Sequence, residues 1–145
     1  MAQEFEKLLP RELELLQKAP AMVSVLASMG RGEINEWEKA DAIKLAHLRT
    51  FTAPPLLIAY YKEVDKTFEQ DFEEIAKKYA PFDQKHRAML LQDLNEVNKV
   101  IAKMGTRYAN TLQKSLSDYA DHVKKAYKGL VVNFIFPFPI PGLSE

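Results

Sequence analysis

LIAYYKEVDKTFEQDFEEIAKKY (residues 57–79) carries large apolar side chains at spacings of three and four residues. Side chains at these spacings lie on one face of an α-helix. The stretch contains neither Gly nor Pro, and acidic residues that are densest over residues 63–74 occupy its other face. It therefore predicts a long amphipathic helix within an all-α fold. The apolar positions are Leu57, Tyr61, Val64, Phe68, Phe72, Ile75 and Tyr79.

The aromatic residues of this helix form a stripe, which has two interpretations. As core residues they would pack against other helices, and as a groove they would accept an apolar ligand or a partner helix. Core packing is the simpler interpretation. The residues concerned are Tyr60, Tyr61, Phe68, Phe72 and Tyr79.

Composition limits the class of protein. The chain has 145 residues, which suits one domain, and only five glycines, which favours helices over strands and turns. The absence of cysteine excludes disulfides, zinc–thiolate sites and cysteine nucleophiles. The net charge is zero, so the basic surface typical of nucleic-acid binding is not expected.

The start of the sequence lacks the features of a secretory signal, and no apolar run is long enough to cross a membrane, so a cytoplasmic protein is expected.

Further helices are predicted on both sides of residues 57–79. Pro10 should separate a short helix from one over 11–18, and Pro20 should start a buried helix over 21–29 that ends at Gly30 and Gly32. Asn35, with Glu38 three residues later, predicts the capped start of a helix that runs to about Arg49. The prolines at 54 and 55 predict a break.

A second half follows Pro81. Asp83 is the expected N-cap of a helix-like segment that continues to residue 128, about 68 Å if unbroken. A domain of this size has a radius of gyration of only about 15 Å, so a break is expected, with Gly105 as the best candidate. An apolar stripe that continues across Gly105 argues for the unbroken alternative.

An internal similarity supports that break. Residues 25–48 align without gaps on residues 100–123, and the alignment pairs Met29-Gly30 with Met104-Gly105. Asn110, with Gln113 three residues later, repeats the pattern of Asn35 and Glu38. The sequence thus predicts two pseudo-symmetric helix–loop–helix halves, each with an Asn cap.

The phrase Gly32-Glu33-Ile34-Asn35-Glu36-Trp37-Glu38 resembles the tellurite-resistance TerB-like family, whose pattern is Asp-Gly-x-Ile followed by Glu four residues later. In this chain Gly32, Ile34 and Glu38 fit, whereas Arg31 stands at the Asp position. The Arg-x-x-Leu-Leu pattern at 87–91 is similar as well. The resemblance covers roughly residues 20–128. It implies an all-helical fold of two halves, a role in stress-response or membrane-linked complexes, and metal binding in some members.

The same loop is a candidate site for a divalent cation. Carboxylates at Glu33, Glu36, Glu38 and Asp41 are the oxygen ligands that calcium and magnesium prefer. Arg31 places a positive charge where a ligand would be needed. Capping explains Glu38, and the helix dipole explains Glu36, without any ion. Both interpretations remain open from the sequence, with helix capping favoured.

The C-terminal arm, residues 130–145, differs from the helical domain over 1–129. Prolines at 137, 139 and 141 exclude helix and favour an extended, polyproline-like segment. Exposed, its side chains would form a large apolar patch, so we predict packing on the domain or on a neighbouring copy, with a membrane interface as a further alternative. The candidate partner-binding residues are Phe134, Phe136, Phe138 and Ile140.

No catalytic motif accompanies these features. The chain has no Gly-x-Ser-x-Gly elbow, no phosphate-binding glycine loop and no Glu-x-x-His pair. The favoured function is a non-catalytic scaffold or interaction module with a protein partner or a second copy of itself. The alternatives are divalent-metal binding through Glu33–Asp41 and peripheral membrane association through the arm.

Overall fold

A computed structural model describes residues 3–28 and 36–127. Within these residues the chain forms α-helices and short 3-10 turns but no strand, which confirms the predicted all-α fold. The 3-10 turns cover Gln3–Lys7 and Pro55–Leu57. The helices are α1 (Pro10–Ser28), α2 (Glu36–Thr52), α3 (Ile58–Lys78), α4 (Gln84–Ile101) and α5 (Thr106–Tyr127).

Helix α1 is the central helix of the bundle. It packs extensively on α3, α4 and α5, and it also touches α2. Its second half, residues 19–27, is buried without interruption, as the predicted apolar helix over 21–29 requires. A helix that is buried on all sides needs neighbours on all sides, and four helices surround this one.

The four surrounding helices do not close into a complete ring. Helix α2 packs extensively on α3 and touches α5, and α5 touches α4. Helices α3 and α4 have at most a marginal contact, although both pack extensively on α1. The sector between α3 and α4 is therefore open, and α1 forms its floor.

Helix α1 passes through Pro20, so the predicted helix start at Pro20 is wrong. A proline inside a helix has no N–H to donate to the carbonyl four residues earlier, which leaves that oxygen without its helical partner. Here that oxygen belongs to Leu16, and the Tyr60 hydroxyl of α3 donates to it at 2.7 Å in a buried position. The tertiary contact thus replaces the hydrogen bond that Pro20 cannot make.

The start of α1 follows from local sequence. Pro10 occupies the first helical position, which tolerates a missing N–H. Glu12 reaches back to accept a hydrogen bond from the backbone N–H of Leu9 at 2.9 Å, which is one half of a capping box. The short 3-10 turn before Pro10 and the helix after it confirm the predicted separation.

Helix α3 agrees closely with the sequence pattern. All seven apolar positions of the stripe over residues 57–79 are buried. The aromatic stripe is therefore core, as the simpler interpretation held. The break at Pro54 and Pro55 is also confirmed, although α2 continues to Thr52, three residues past the predicted end.

After Pro81 the sequence predicts two N-caps, of which one is confirmed and the other is wrong. The carboxylate of Asp83 accepts a hydrogen bond from the backbone N–H of His86 at 2.9 Å, as an N-cap does. Helix α4 ends at Ile101 and α5 begins at Thr106, so the break at Gly105 is confirmed. Asn110 is not a cap, because the backbone N–H of Ala109 already donates to the carbonyl of Gly105 at 2.9 Å. The first turn of α5 is thus complete before Asn110.

The ion-loop residues 29–35, with the predicted cap Asn35, lie outside the described residues, as does the arm over 130–145. Helix α2 begins at Glu36, one residue after that predicted cap. None of the described helices is both long enough and apolar enough to span a membrane.

Candidate binding groove

The open sector between α3 and α4 forms a groove of about 580 Å³. This volume lies within the range of about 300–1,000 Å³ that is usual for ligand pockets. Its floor is α1, and its walls are the C-terminal end of α3 and the second half of α4. The lining residues are Arg11, Glu12, Glu14, Leu15, Lys18, Met22, Glu74, Ile75, Lys78, Tyr79, Asp93, Glu96, Lys99, Val100 and Lys103.

Helical spacing aligns the floor residues. Arg11, Leu15, Lys18 and Met22 are separated by four, three and four positions, so they form one row along α1. At about 1.5 Å per residue this row is about 16 Å long. That length matches about three turns of a helix or about five residues of extended chain.

The bottom of the groove is apolar. Met22 from α1, Ile75 from α3 and Val100 from α4 are buried parts of the main core. Leu15 is only partly buried and packs against the same core. The groove therefore gives an incoming apolar side chain access to the edge of the core.

The upper walls are charged, with acidic and basic side chains in equal number. Many of these charges pair with one another across short distances. Lys18 lies 3.0 Å from Glu14 within α1, and Lys99 lies 2.9 Å from Glu96 within α4. The hydrogen bond to Glu14 raises the pKa of Lys18, so the ammonium remains charged at neutral pH. These pairs leave the wall close to neutral.

A tyrosine links the two walls of the groove. The Tyr79 hydroxyl, just after α3, donates a hydrogen bond to the carboxylate of Asp93 on α4. Lys78 also approaches that carboxylate, at 3.9 Å. Burial, followed by the adjacent Asp93 carboxylate, raises the pKa of Tyr79 well above its usual value. The hydroxyl therefore stays protonated and keeps its role as the donor that links α3 to α4.

An ion pair links the floor of the groove to the end of α4. Lys103, in the turn after α4, donates to the Glu12 carboxylate near the start of α1. The hydrogen bond from Lys103, together with that from the Leu9 amide, lowers the pKa of Glu12. Glu12 thus caps α1 and anchors the end of α4 with the same carboxylate.

The candidate metal ligands lie away from this groove. Glu33 is outside the described residues, and the side chains of Glu36 and Glu38 are outside them as well. Asp41 is exposed on α2. Within residues 3–28 and 36–127, no group of three or more His, Asp or Glu side chains is close enough together to hold a metal ion. The predicted ion loop therefore remains a prediction.

The candidate partner-binding residues Phe134, Phe136, Phe138 and Ile140 also lie outside the described part of the chain. Two large apolar side chains of α2 are exposed to solvent: Phe51 is 73% exposed and Leu48 is 43% exposed. His47 contacts Phe51 edge-on and Asp65 at 3.0 Å. These two apolar side chains stand on one convex helix, whereas the groove is enclosed by three helices.

Sequence reasoning did not identify the groove residues. The only available signal was the row at 11, 15, 18 and 22, where charged and apolar side chains alternate along one helical face.

Comparisons of the chain with protein-family models, with curated proteins and with solved structures found no match.

Proposed function

We propose that this chain is a non-catalytic interaction module that binds an apolar segment of a protein partner in the groove between α3 and α4. The TerB-like resemblance of residues 20–128 belongs to this proposal, because it implies a helical module in stress-response complexes. Five helices would act as a scaffold that presents one concave face.

The open sector over α1 carries this proposal. Helix α5 covers another side of α1 and α2 touches it, but α3 and α4, on either side of Leu15, do not meet above that residue. Apolar surface in a concave site between helices is the feature that helix-in-groove and peptide-in-groove recognition use. A partner would complete the layer around α1 and bury Leu15.

The charge pattern indicates the kind of partner. Acidic and basic side chains are balanced along the walls, so the groove has no strong positive field to attract nucleic acid. Pairs such as Glu14 with Lys18 already neutralise part of the wall. An apolar or weakly charged peptide segment fits this lining better than a polyanion does.

Site-specific photocrosslinking in the full chain tests the proposal. A photoreactive residue replaces Lys99 on the groove wall in one variant and Lys62 on the exposed face of α3 in a matched control. We expect a discrete cross-linked partner in extracts of the source cells from the Lys99 position and none from Lys62. The cross-linked peptide then identifies the bound segment.

Direct binding of the identified segment, as a synthetic peptide, completes the test. Leu15→Glu puts a charge on the apolar floor and should weaken the affinity at least about tenfold. Leu48→Glu makes the same change on α2 and should leave the affinity unchanged. Equal affinities of the two variants, or equal cross-linking at Lys62 and Lys99, would refute the proposal.

The two alternative functions depend on residues that lie wholly or partly outside the described part of the chain, and they remain predictions. Titration with calcium, magnesium or zinc, monitored by Trp37 fluorescence, tests the loop over Glu33–Asp41, because Trp37 lies within it. An unchanged signal at millimolar ion would eliminate that alternative.

Sedimentation with anionic lipid vesicles tests membrane association through the arm, with Phe136→Ser and Phe138→Ser together as the comparison. Equal sedimentation of both proteins would remove the arm's role.

A further inference from the structure

We propose that residues 130–143 of the same chain occupy the groove when no partner is bound, so that a partner must displace them. This inference rests on the proposed function only in its second part, the competition. The occupancy itself follows from the length, chemistry and starting point of the arm.

The end of α5 lies at the correct end of the bundle. Near the start of α5, the ring of Tyr108 meets the ring of Phe5 edge-on, with the two centroids 5.5 Å apart, beside the beginning of α1. Later in α5, the Tyr119 hydroxyl donates to the carbonyl of Ala42, in the first half of α2, at 3.0 Å. Helix α5 therefore runs in the same direction as α1, and the chain leaves Tyr127 near the end of the bundle where Met22 lies.

The arm is long enough to reach the groove and to run along it. At about 3.1 Å per residue, the residues after Tyr127 can span about 55 Å. Helix α1, with 19 residues, is about 28 Å long. The chain can therefore turn at the Met22 end and pass back toward Arg11. About five extended residues, such as 136–140, fill the 16 Å row of floor residues.

The chemistry of the arm matches the lining. Residues 129–144 carry no charged side chain, and Phe and Ile dominate the middle of the segment. Wall charges already pair with one another, as Glu96 does with Lys99 and Glu14 does with Lys18, so an uncharged segment does not compete for these ion pairs. Leu15, Ile75 and Val100 provide the apolar floor that such side chains need.

The alternating prolines solve a backbone problem. The backbones of the lining helices offer few acceptors to a neighbouring chain, because the helix carbonyls are used internally. Pro137, Pro139 and Pro141 have no N–H, so the arm brings few donors that need partners. Its carbonyl oxygens can accept from lysine ammonium groups on the walls, such as Lys18 and Lys99, each of which has three N–H donors.

Disulfide trapping in the full chain tests this inference. Because the chain has no native cysteine, only the introduced cysteines can form disulfides. Leu15→Cys, a mild change at a partly buried position, is combined in turn with cysteine at Phe134, Phe136, Phe138 or Ile140. The matched control combines Leu48→Cys with the same arm positions. We expect at least one Leu15→Cys pair to form an intrachain disulfide at least about tenfold faster than its Leu48→Cys counterpart, measured by mass spectrometry under mild oxidation.

Each other outcome overturns the inference. Interchain disulfides at Leu15→Cys would assign the groove to the arm of a second copy. Faster trapping with Leu48→Cys would place the arm on α2. Equal slow trapping at both positions would show that the arm lies in neither place.

This test and the test of the proposed function can fail independently. A partner that cross-links at Lys99, with no intrachain trapping, supports the function and refutes the inference. Trapping without any partner supports arm occupancy and refutes partner binding. If both hold, the variant with Phe136→Ser and Phe138→Ser should bind the partner peptide more tightly than the unmodified chain, because its groove is more often free.

Discussion

At the scale of single residues, Tyr60 explains how α1 tolerates a proline at its centre. Local rules predict a helix break near Pro20, and those rules are correct about the missing hydrogen bond. They cannot predict the outcome, because the compensating hydroxyl comes from Tyr60, 44 positions after Leu16. The ring of Tyr60 stacks on Phe5 and meets Tyr61 edge-on, which holds its hydroxyl toward the carbonyl of Leu16.

We expect Tyr60→Phe to lower the free energy of unfolding by about 1–3 kcal/mol, because it leaves the buried Leu16 carbonyl without a donor. In a Pro20→Ala background the new backbone N–H can donate to that carbonyl. The cost of Tyr60→Phe should then be smaller by about 1 kcal/mol. Urea unfolding of the four proteins of this cycle measures the coupling. Strictly additive effects would contradict the proposed replacement of one bond by the other.

Asp71 is a second residue whose surroundings control its chemistry. Its side chain is buried between α1 and α3, and the Thr67 hydroxyl donates to its carboxylate at 2.8 Å. Gln17 of α1 in turn donates to Thr67 at 2.9 Å. Burial raises the pKa of Asp71, although the bond from Thr67 and the nearby Lys18 oppose the shift.

A raised folded-state pKa gives a definite sign to the pH dependence. As pH rises from the usual carboxyl pKa through the raised value, the unfolded state releases its proton first, so the contribution of Asp71 to stability falls. Asp71→Asn removes this titration. We therefore expect the stability of Asp71→Asn relative to the unmodified chain to be higher at pH 7 than at pH 3, as measured by urea unfolding. A difference that does not change with pH would contradict this assignment.

At the scale of elements, caps and breaks decide where helices begin, and the sequence predicts some of them well. Asp83 and Gly105 act as expected, because the signals that place them are local. Asn110 has the same local pattern as Asn35 but lies inside α5, since Gly105 and Thr106 had already started the helix. A capping signal is therefore informative only when no earlier start is available.

Asp83→Ala should lower the melting temperature by about 3 °C, because the His86 amide loses its acceptor at the start of α4. Asp83→Asn keeps a good cap and should show a smaller loss at neutral pH.

Hydrogen bonds from His86 lower the pKa of Asp83, so the contribution of Asp83 to stability is present at neutral pH and is lost as pH falls through the lowered value. Asp83→Asn should thus lose stability relative to the unmodified chain as pH rises, opposite to Asp71→Asn. Slopes of the same sign would contradict both assignments.

At the scale of the whole molecule, the groove results from a contact that is missing. The apolar stripe of α3 and the apolar stretch in the second half of α1 predict which residues are buried, and those described in the structure are buried. They do not specify which pairs of helices meet, because every apolar stripe could be covered by more than one neighbour. Only the arrangement of all five helices reveals that α3 and α4 stay apart over Leu15.

Helix α4 is consequently the most weakly held of the large helices. It packs extensively only on α1, touches α5, and meets the end of α3 through the bond between Tyr79 and Asp93. Elements with few buried contacts open at lower free energy than the rest of a domain. We therefore expect amide hydrogens of residues 84–101 to exchange faster than those in the buried half of α1 over residues 19–27.

Tyr79→Phe should accelerate that exchange selectively. The variant keeps the buried ring but removes the donor that ties α3 to Asp93, at a cost of about 0.5–1.5 kcal/mol in the opening free energy of α4. Tyr61→Phe is the matched control, because its hydroxyl bonds Ser115 on α5 at 2.7 Å and has no part in the groove. Exchange followed by mass spectrometry should show faster labelling of α4 for Tyr79→Phe, whereas Tyr61→Phe should affect α5 more than α4. Equal protection of α4 in the two variants would mean that Tyr79 does not hold the groove, and that α1 alone keeps α4 in position.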